Sequence, residues 1–191
     1  MEGKELQTVG IVEDALKSGK HVFVPYIHRK QGSKDSEMQM LELKSREDYK
    51  SLQPDTWGIP SLPAASLAER ANSFGGNGIN SGTALEELLD MIVMPGMAFD
   101  SKLERLGHGK GYYDRFLLRC ARAAEASSTK MPKLSTIPFH PMFPACLTFP
   151  PVALALAEQM CQSVPTGPHD WPIDALITGT SELLTRPDGA W

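Results

Sequence analysis

The strongest constraint on the fold lies in residues 91–118, where M-I-V-M-P-G-M-A-F-D-S-K-L-E-R-L-G-H-G-K-G-Y-Y-D-R-F-L-L passes from an apolar run through a glycine loop into helical spacing. Met91-Ile92-Val93-Met94 is short, β-branched at its centre and stopped by Pro95-Gly96, the pattern of a buried strand that delivers a loop at its carboxyl end. A polar stretch, residues 100–105, leads to Gly107-His108-Gly109-Lys110-Gly111, and Tyr113, Phe116, Leu117 and Cys120 then recur at helical spacing. The predicted order is strand, glycine loop, helix.

Alternate glycines permit positive φ and remove the Cβ atoms that would hold a ligand away from backbone N–H groups. The first turn of the following helix has N–H groups with no intrahelical partner, so several donors and a partial positive charge converge on one spot. Such a spot binds anions. Lys110 adds a mobile full charge and Arg105 a planar fork, a pairing suited to phosphate oxygens. Asp114, one turn into the helix, implies a magnesium ion between its carboxylate and a polyphosphate, because direct juxtaposition would repel. A bare G-x-G-K-G is also compatible with a plain turn, since neither a full dinucleotide fingerprint nor the G-K-[ST] of a P-loop is present.

The longer string is more specific. P-G-x-x-F-D followed by R-L-G-x-G-K-G-Y-Y-D closely resembles the signature of the 5-formyltetrahydrofolate cyclo-ligase (methenyltetrahydrofolate synthetase) family. The resemblance continues through Gly3-Lys4-Glu5-Leu6-Gln7-Thr8, Gly19-Lys20 before His21-Val22-Phe23-Val24-Pro25, and Trp57-Gly58-Ile59-Pro60. Downstream it takes in residues 152–159 and His169-Asp170-Trp171-Pro172-Ile173-Asp174.

The resemblance implies a three-layer α/β/α fold with an open, mostly parallel sheet. It also implies ATP-dependent cyclisation of 5-formyltetrahydrofolate to 5,10-methenyltetrahydrofolate, with ATP as co-substrate and Mg2+ as cofactor. ATP would be bound by Arg105, Leu106, Gly107, His108, Gly109, Lys110, Gly111, Tyr112 and Tyr113, with Lys110 and Arg105 catalytic. The folate substrate would meet Glu5, Trp57, His108, Gly109, Lys110, Gly111 and Tyr112, and Asp114 with Asp170 would serve the metal. His108 stands where many relatives carry Arg, which weakens any phosphate contact from that side chain. Each residue also has a structural reading: Lys110 as a solvated helix-start lysine, Asp114 as a carboxylate favoured by the helix dipole, Tyr113 as core, Trp57 as core and Glu5 as a solvated carboxylate. Two other classes stay open, a non-catalytic ligand-binding protein and another phosphate-handling enzyme on a similar sheet.

At 191 residues the chain suits a single domain spanning 1–191, long enough to bury roughly 70% of its unfolded surface. A net charge of −4 argues against a nucleic-acid surface, and no apolar run approaches the ~18 residues of a membrane span. Cys120, Cys146 and Cys161 form no C-x-x-C pair and read as reduced thiols of a cytoplasmic protein, which is expected to be a monomer. His21, His28, His140 and His169 show no metal spacing.

Along the chain, Thr8 is predicted to cap a helix whose Val9, Val12 and Leu16 share a face and which Gly19 stops. Strands are expected at 21–24, ended by Pro25, at 38–43, at 91–94, at 152–157 and at 174–178. Residues 45–48 read as the start of a helical turn, 54–60 as a loop and 73–82 as a mobile surface excursion. Strands separated by helices imply a parallel sheet, with ligands where the loops after Met94, Pro25 and Ala157 gather. Residues 135–151 contain five prolines and no Asp, Glu, Lys or Arg, and read as an inserted loop. Relatives carry a basic helix and a strand before the G-K-E-x-Q-T segment, whereas Met1 here stands two residues before Gly3, so weak or absent turnover is expected of this chain.

Overall fold

A computed structural model describes residues 7–30, 32, 34–56, 58–80, 89–126 and 151–185. They fall into two compact units, one within Gln7–Glu87 and one within Leu88–Trp191. The expected insertion lies outside the described residues except for Pro151, as do Glu5 and Trp57.

In the first unit, helix α1 (Val9–Lys17) turns Val12 and Leu16 onto a core of Leu41, Leu43, Leu52, Leu62 and Leu67. Val9, expected on the same face, is exposed. Thr8 precedes the helix without a side-chain cap, having αR rather than extended backbone. Gly19 does stop it: at φ 72° its N–H reaches Leu16 O, while Lys20 N–H reaches Ala15 O.

Strand β1 (Val22–Arg29) pairs antiparallel with β2 (Ser36–Leu43), so Pro25 does not end the strand but sits opposite Met40. Among the described residues β1 has a neighbour on one side only, and an edge strand tolerates a proline. No loop follows Pro25.

Helix α2 (Arg46–Ser51) starts as expected, with Ser45 Oγ accepting from Asp48 N–H at 3.1 Å. The loop expected over 54–60 is flanked by a short ladder of β3 (Gln53–Pro54) and β4 (Pro60–Ser61). A 3-10 helix (Ala64–Glu69) then presents Arg70, 2% exposed, whose Nη1 and Nη2 donate to the two oxygens of Asp48 at 2.6 and 2.7 Å. Arg70 Nε also reaches Ser66 Oγ and Nη1 reaches Glu42 O.

Residues 73–80 are not the loose excursion that their low apolar content suggests. Asn72 binds the loop from inside, its Nδ2 donating to Gly78 O and its Oδ1 accepting from Phe74 N–H. Ser73 N–H joins Met40 O, and Phe74 is 5% exposed. Side-chain to backbone bonds of this kind leave no mark on composition.

The second unit holds a four-stranded sheet in the order β10 (Leu183–Thr185), β9 (Ala175–Thr178), β8 (Pro151–Ala155), β5 (Ile92–Met94). β5, β8 and β9 are parallel, and β10 returns antiparallel on β9. Together with the β1–β2 hairpin this makes a mixed α/β fold, parallel only in part. Pro151 opens β8, a position where its missing N–H is tolerated. β8 stops at Ala155, earlier than expected, because Leu156 N–H turns to Gln159 Oε1 and a short 3-10 turn (Ala157–Gln159) follows.

Between β5 and helix α3 (Tyr112–Ala126), a small hairpin of β6 (Ala98–Phe99) and β7 (Arg105–Leu106) flanks the polar stretch. Phe116, Leu117, Cys120 and Ala121 form the buried stripe of α3, and burial pushes the Cys120 thiol up to about 12, leaving it protonated and inert at ordinary pH.

Candidate functional site

The carboxyl end of β5 sets the site. A Cβ on Gly96 would lie 2.4 Å from Phe99 Cζ, and Phe99 is fully buried, so no side chain fits there. Gly96 O accepts from Gln159 Nε2 at 2.8 Å. Since Gln159 also holds Leu156 N–H, one side chain ties the carboxyl ends of the adjacent parallel strands β5 and β8.

Beyond β6, Asp100 is 1% exposed and its carboxylate accepts three backbone N–H groups, from Lys102 at 2.9 Å, Glu104 at 3.1 Å and Val164 at 2.9 Å. The turn it organises places Leu103 at φ 65° and leads into Arg105.

Arg105, expected to offer a planar fork to phosphate, is buried. It is 6% exposed; its Nη2 donates to Asp114 Oδ1 at 2.7 Å and its Nη1 to Pro95 O at 3.3 Å, while Nε is buried without a partner. The guanidinium therefore bridges the end of β5, β7 and the first turn of α3. Gly107 lies close over it, an added Cβ meeting Nη1 at 3.0 Å.

The loop itself is open. Leu106, His108, Gly109 and Lys110 are exposed, and Gly109 and Gly111 have φ of 75° and 60°. At these values an L side chain is strained, and backbone in this conformation is the kind that forms anion-binding concavities. Gly111 O accepts the first helical bond from Arg115 N–H, so the N–H groups of the opening turn of α3 lie beside Lys110. Tyr112 lies half-buried with the Arg115 guanidinium 5.2 Å from its ring centre. Desolvation pushes the Tyr113 phenol up to about 12, Arg105 opposing this in part, so it stays protonated.

Asp114 is 14% exposed, and its Oδ1 accepts from both Arg105 and Trp171 N–H, the latter at 2.9 Å. Trp171 thereby holds the 164–171 segment, with Asp170, against the start of α3. Asp170 itself is exposed, its Oδ2 accepting from Gly167 N–H at 2.8 Å. No three His, Cys, Asp or Glu side chains converge as a metal cage among the described residues. The remaining donors, Asp114 Oδ2 and the exposed Asp170 carboxylate, are hard oxygens that suit Mg2+ arriving with a polyphosphate, an ion normally held by one or two carboxylates plus phosphate oxygens.

Sequence reasoning named the loop, Arg105, Asp114 and Asp170, of which the structure joins Arg105 to Asp114 and Asp114 to the backbone next to Asp170. It missed Asp100, whose only signal was the closing Asp of P-G-x-x-F-D, and Gln159; the Trp171 N–H contact is made by backbone and has no side-chain signal. A separate depression of about 710 Å³ lies within the first unit, where Arg46 pairs with Glu13 and His21 with Glu42; none of the predicted site residues lines it.

The model of the 5-formyltetrahydrofolate cyclo-ligase family matches residues 1–179. The 5-formyltetrahydrofolate cyclo-ligase of Mus musculus is 31% identical over 91% of this chain and 67% of its own length. The probable 5-formyltetrahydrofolate cyclo-ligase of Schizosaccharomyces pombe is 32% identical over 93% and 71%, and the mitochondrial one of Arabidopsis thaliana 30% over 96% and 57%. The chain thus spans little more than two thirds of the first two relatives. The NMR structure of Aquifex aeolicus 5,10-methenyltetrahydrofolate synthetase is similar in fold, with a TM-score of 0.53 at 23% identity, covering 98% of this chain and 69% of that one.

Proposed function

Because this chain belongs to the 5-formyltetrahydrofolate cyclo-ligase family, we propose that it cyclises 5-formyltetrahydrofolate to 5,10-methenyltetrahydrofolate with consumption of ATP and release of ADP and phosphate. The supporting observation is the open glycine loop with Lys110 exposed at the amino end of α3, whose first turn carries Asp114, the partner of Arg105. On this reading both units form one cyclo-ligase domain within a three-layer α/β/α arrangement, acting as a cytoplasmic monomer. No helix among the described residues is long and apolar enough to cross a membrane.

A formamide oxygen is a poor leaving group. Transfer of the γ-phosphoryl group to that oxygen makes an imidate-like phosphate; the N10 amine of the same substrate attacks the adjacent carbon, and as the ring closes phosphate departs with the formyl oxygen and takes up the proton lost from N10. The protein supplies alignment and charge rather than a covalent intermediate. Lys110 and the N–H groups around Gly109 and Gly111 receive the phosphate oxygens as negative charge shifts toward the transferred group. Arg105, committed to Asp114 and Pro95, holds the loop and adds its field from beneath. Asp114 and Asp170 would hold Mg2+, which supplies neutralisation of polyphosphate charge. Tyr112, with Leu106 and His108, borders the ligand; Glu5 and Trp57 are proposed for the folate.

Replacement Lys110→Ala removes charge from an exposed loop and no core volume. The expected result is an unchanged melting temperature and a KM for ATP raised roughly tenfold or more, the scale of a lost charge-assisted contact. An unaltered ATP dependence in folded protein would refute the phosphate role.

A further inference from the structure

Four backbone N–H groups of the 160–173 segment donate to the signature region, and Cys161 Sγ adds a contact to Phe99 O at 3.4 Å. Cys161 N–H donates to Phe99 O at 2.8 Å, Val164 N–H to Asp100 Oδ2 at 2.9 Å, Ile173 N–H to Leu103 O at 3.1 Å and Trp171 N–H to Asp114 Oδ1 at 2.9 Å. Three of the four acceptors come from residues 99–103, and Asp100 is the one that uses a side chain there. Its two oxygens divide the work. Oδ1 takes both local N–H groups, of Lys102 and Glu104, and shapes the turn that leads into Arg105; Oδ2 takes the distant one, of Val164.

We propose that Asp100 is a positioning residue for the reaction: through Oδ2 it fixes the 164–171 segment so that Trp171 N–H stays on Asp114 Oδ1 and Asp170, the preceding residue, stays close to the start of α3. The inference rests on the functional reading above. Asp100 is almost wholly buried; it acts through Val164 and through the register of the chain that follows. A carboxylate is required because the three N–H donors approach from two directions and both oxygens must accept. Asparagine offers one acceptor and one NH2 donor, so it can satisfy the local turn or the distant Val164 N–H, but not both. The two local donors favour keeping the oxygen in the turn, which turns the NH2 group toward Val164 N–H. Asp100→Asn therefore releases the cross-connection while retaining the hairpin.

The control of orientation matters because Asp114 Oδ1 already serves two donors. If the 164–171 segment moves away, Arg105 becomes the only partner of Oδ1 among the described residues, and the carboxylate is free to rotate. Loss of a partner that orients a ligand-facing carboxylate typically costs 10–100-fold in affinity or activity.

The test compares wild type, Asp100→Asn and Asp100→Ala well below their melting temperatures. Amide hydrogen exchange is read on peptides covering 160–173, on the 98–106 hairpin and on α3. Magnesium-dependent binding of a non-hydrolysable ATP analogue is measured by calorimetry, and methenyl formation gives kcat and KM for each substrate. In Asp100→Asn, exchange is expected to rise in 160–173 while the hairpin and α3 keep their protection. Binding of the analogue is expected to weaken roughly tenfold or more, with KM for ATP rising and KM for the folate unchanged. Asp100→Ala should match Asn in the 160–173 segment and also loosen the hairpin. Wild-type exchange and analogue affinity in Asp100→Asn would overturn the proposal, as would a uniform loss of protection with unaltered affinity, which is the mark of a merely structural group. Absence of nucleotide binding in the wild type would instead overturn the functional reading, so the two failures are distinguishable.

Discussion

Asp114→Asn isolates the value of one charge at the centre of the site. Asn keeps an acceptor oxygen for Arg105 Nη2 and Trp171 N–H but removes the negative charge that Arg105 meets at 2.7 Å. Arg105 has little recourse: its side chain is 5% exposed, Nη1 has only a 3.3 Å bond to Pro95 O, and Nε is buried without a partner. Breaking a buried pair by removing one partner costs about 3–5 kcal/mol. The 14% exposure of Asp114 admits some solvent and sets the expectation at the lower end, about 3 kcal/mol. For a chain of this size that corresponds to a fall in melting temperature of roughly 6–12 °C. Removing the other partner, with Arg105→Met, leaves Asp114 without its counter-charge and should cost a similar amount. The double variant Arg105→Met/Asp114→Asn buries no isolated charge, and its loss should fall short of the sum of the two singles by at least about 1 kcal/mol. Urea unfolding of the four proteins, followed by tryptophan emission, measures the cycle. Single variants within about 0.5 kcal/mol of wild type, or a double variant equal to the sum, would refute the argument that the pair is coupled and desolvated.

Gly96→Ala puts a Cβ 2.4 Å from the buried Phe99 ring, so the ring or the P-G turn must shift; a loss of about 1–3 kcal/mol is expected, together with weaker nucleotide binding, and wild-type values for both would contradict the packing. Asp48 is held below the usual carboxylate range by its paired hydrogen bonds from Arg70, with Lys44 N–H adding to them and partial burial opposing. A depressed folded value means that its contribution is complete above the unfolded value near 3.8 and is lost as pH falls through the folded one. Asp48→Asn should therefore flatten the acid limb of the stability curve below about pH 4 and lower stability at pH 7; an unchanged acid limb would show that the Arg70 pair contributes nothing there.

The site was legible in the sequence where side-chain type and backbone demand coincide. Glycines at 109 and 111 announce positive φ, and the apolar tetrapeptide before Pro95-Gly96 announces β5. The parallel core of β5, β8 and β9 followed from strands separated by helical and loop segments. What the sequence did not show was carried by long-range pairing. Pro25 looked like a strand end, because a propensity argument cannot see that β1 is an edge paired through to Arg29. The 73–80 loop looked loose because Asn72, one polar residue among glycines, satisfies backbone groups that composition leaves uncounted.

Arg105 shows the same limit at the site itself. Its residue type suited phosphate and its position beside a glycine loop pointed the same way, yet burial and Asp114 make it a brace beneath the loop. Nothing in R-L-G-H-G-K-G distinguishes an arginine that faces outward from one that faces inward. The deciding partners, Pro95 and Asp114, lie ten residues before and nine after it and are brought together only by the β6–β7 turn that Asp100 organises.

The most direct measurement is the absorbance of the methenyl product in a mixture of this chain, Mg2+, ATP and 5-formyltetrahydrofolate, with ADP determined in parallel. Product that accumulates only when ATP and the formyl substrate are both present, with one ADP formed for each methenyl group, is the expected result. Folded chain that binds nucleotide yet forms no methenyl product, or hydrolyses ATP without it, would contradict the proposed cyclisation.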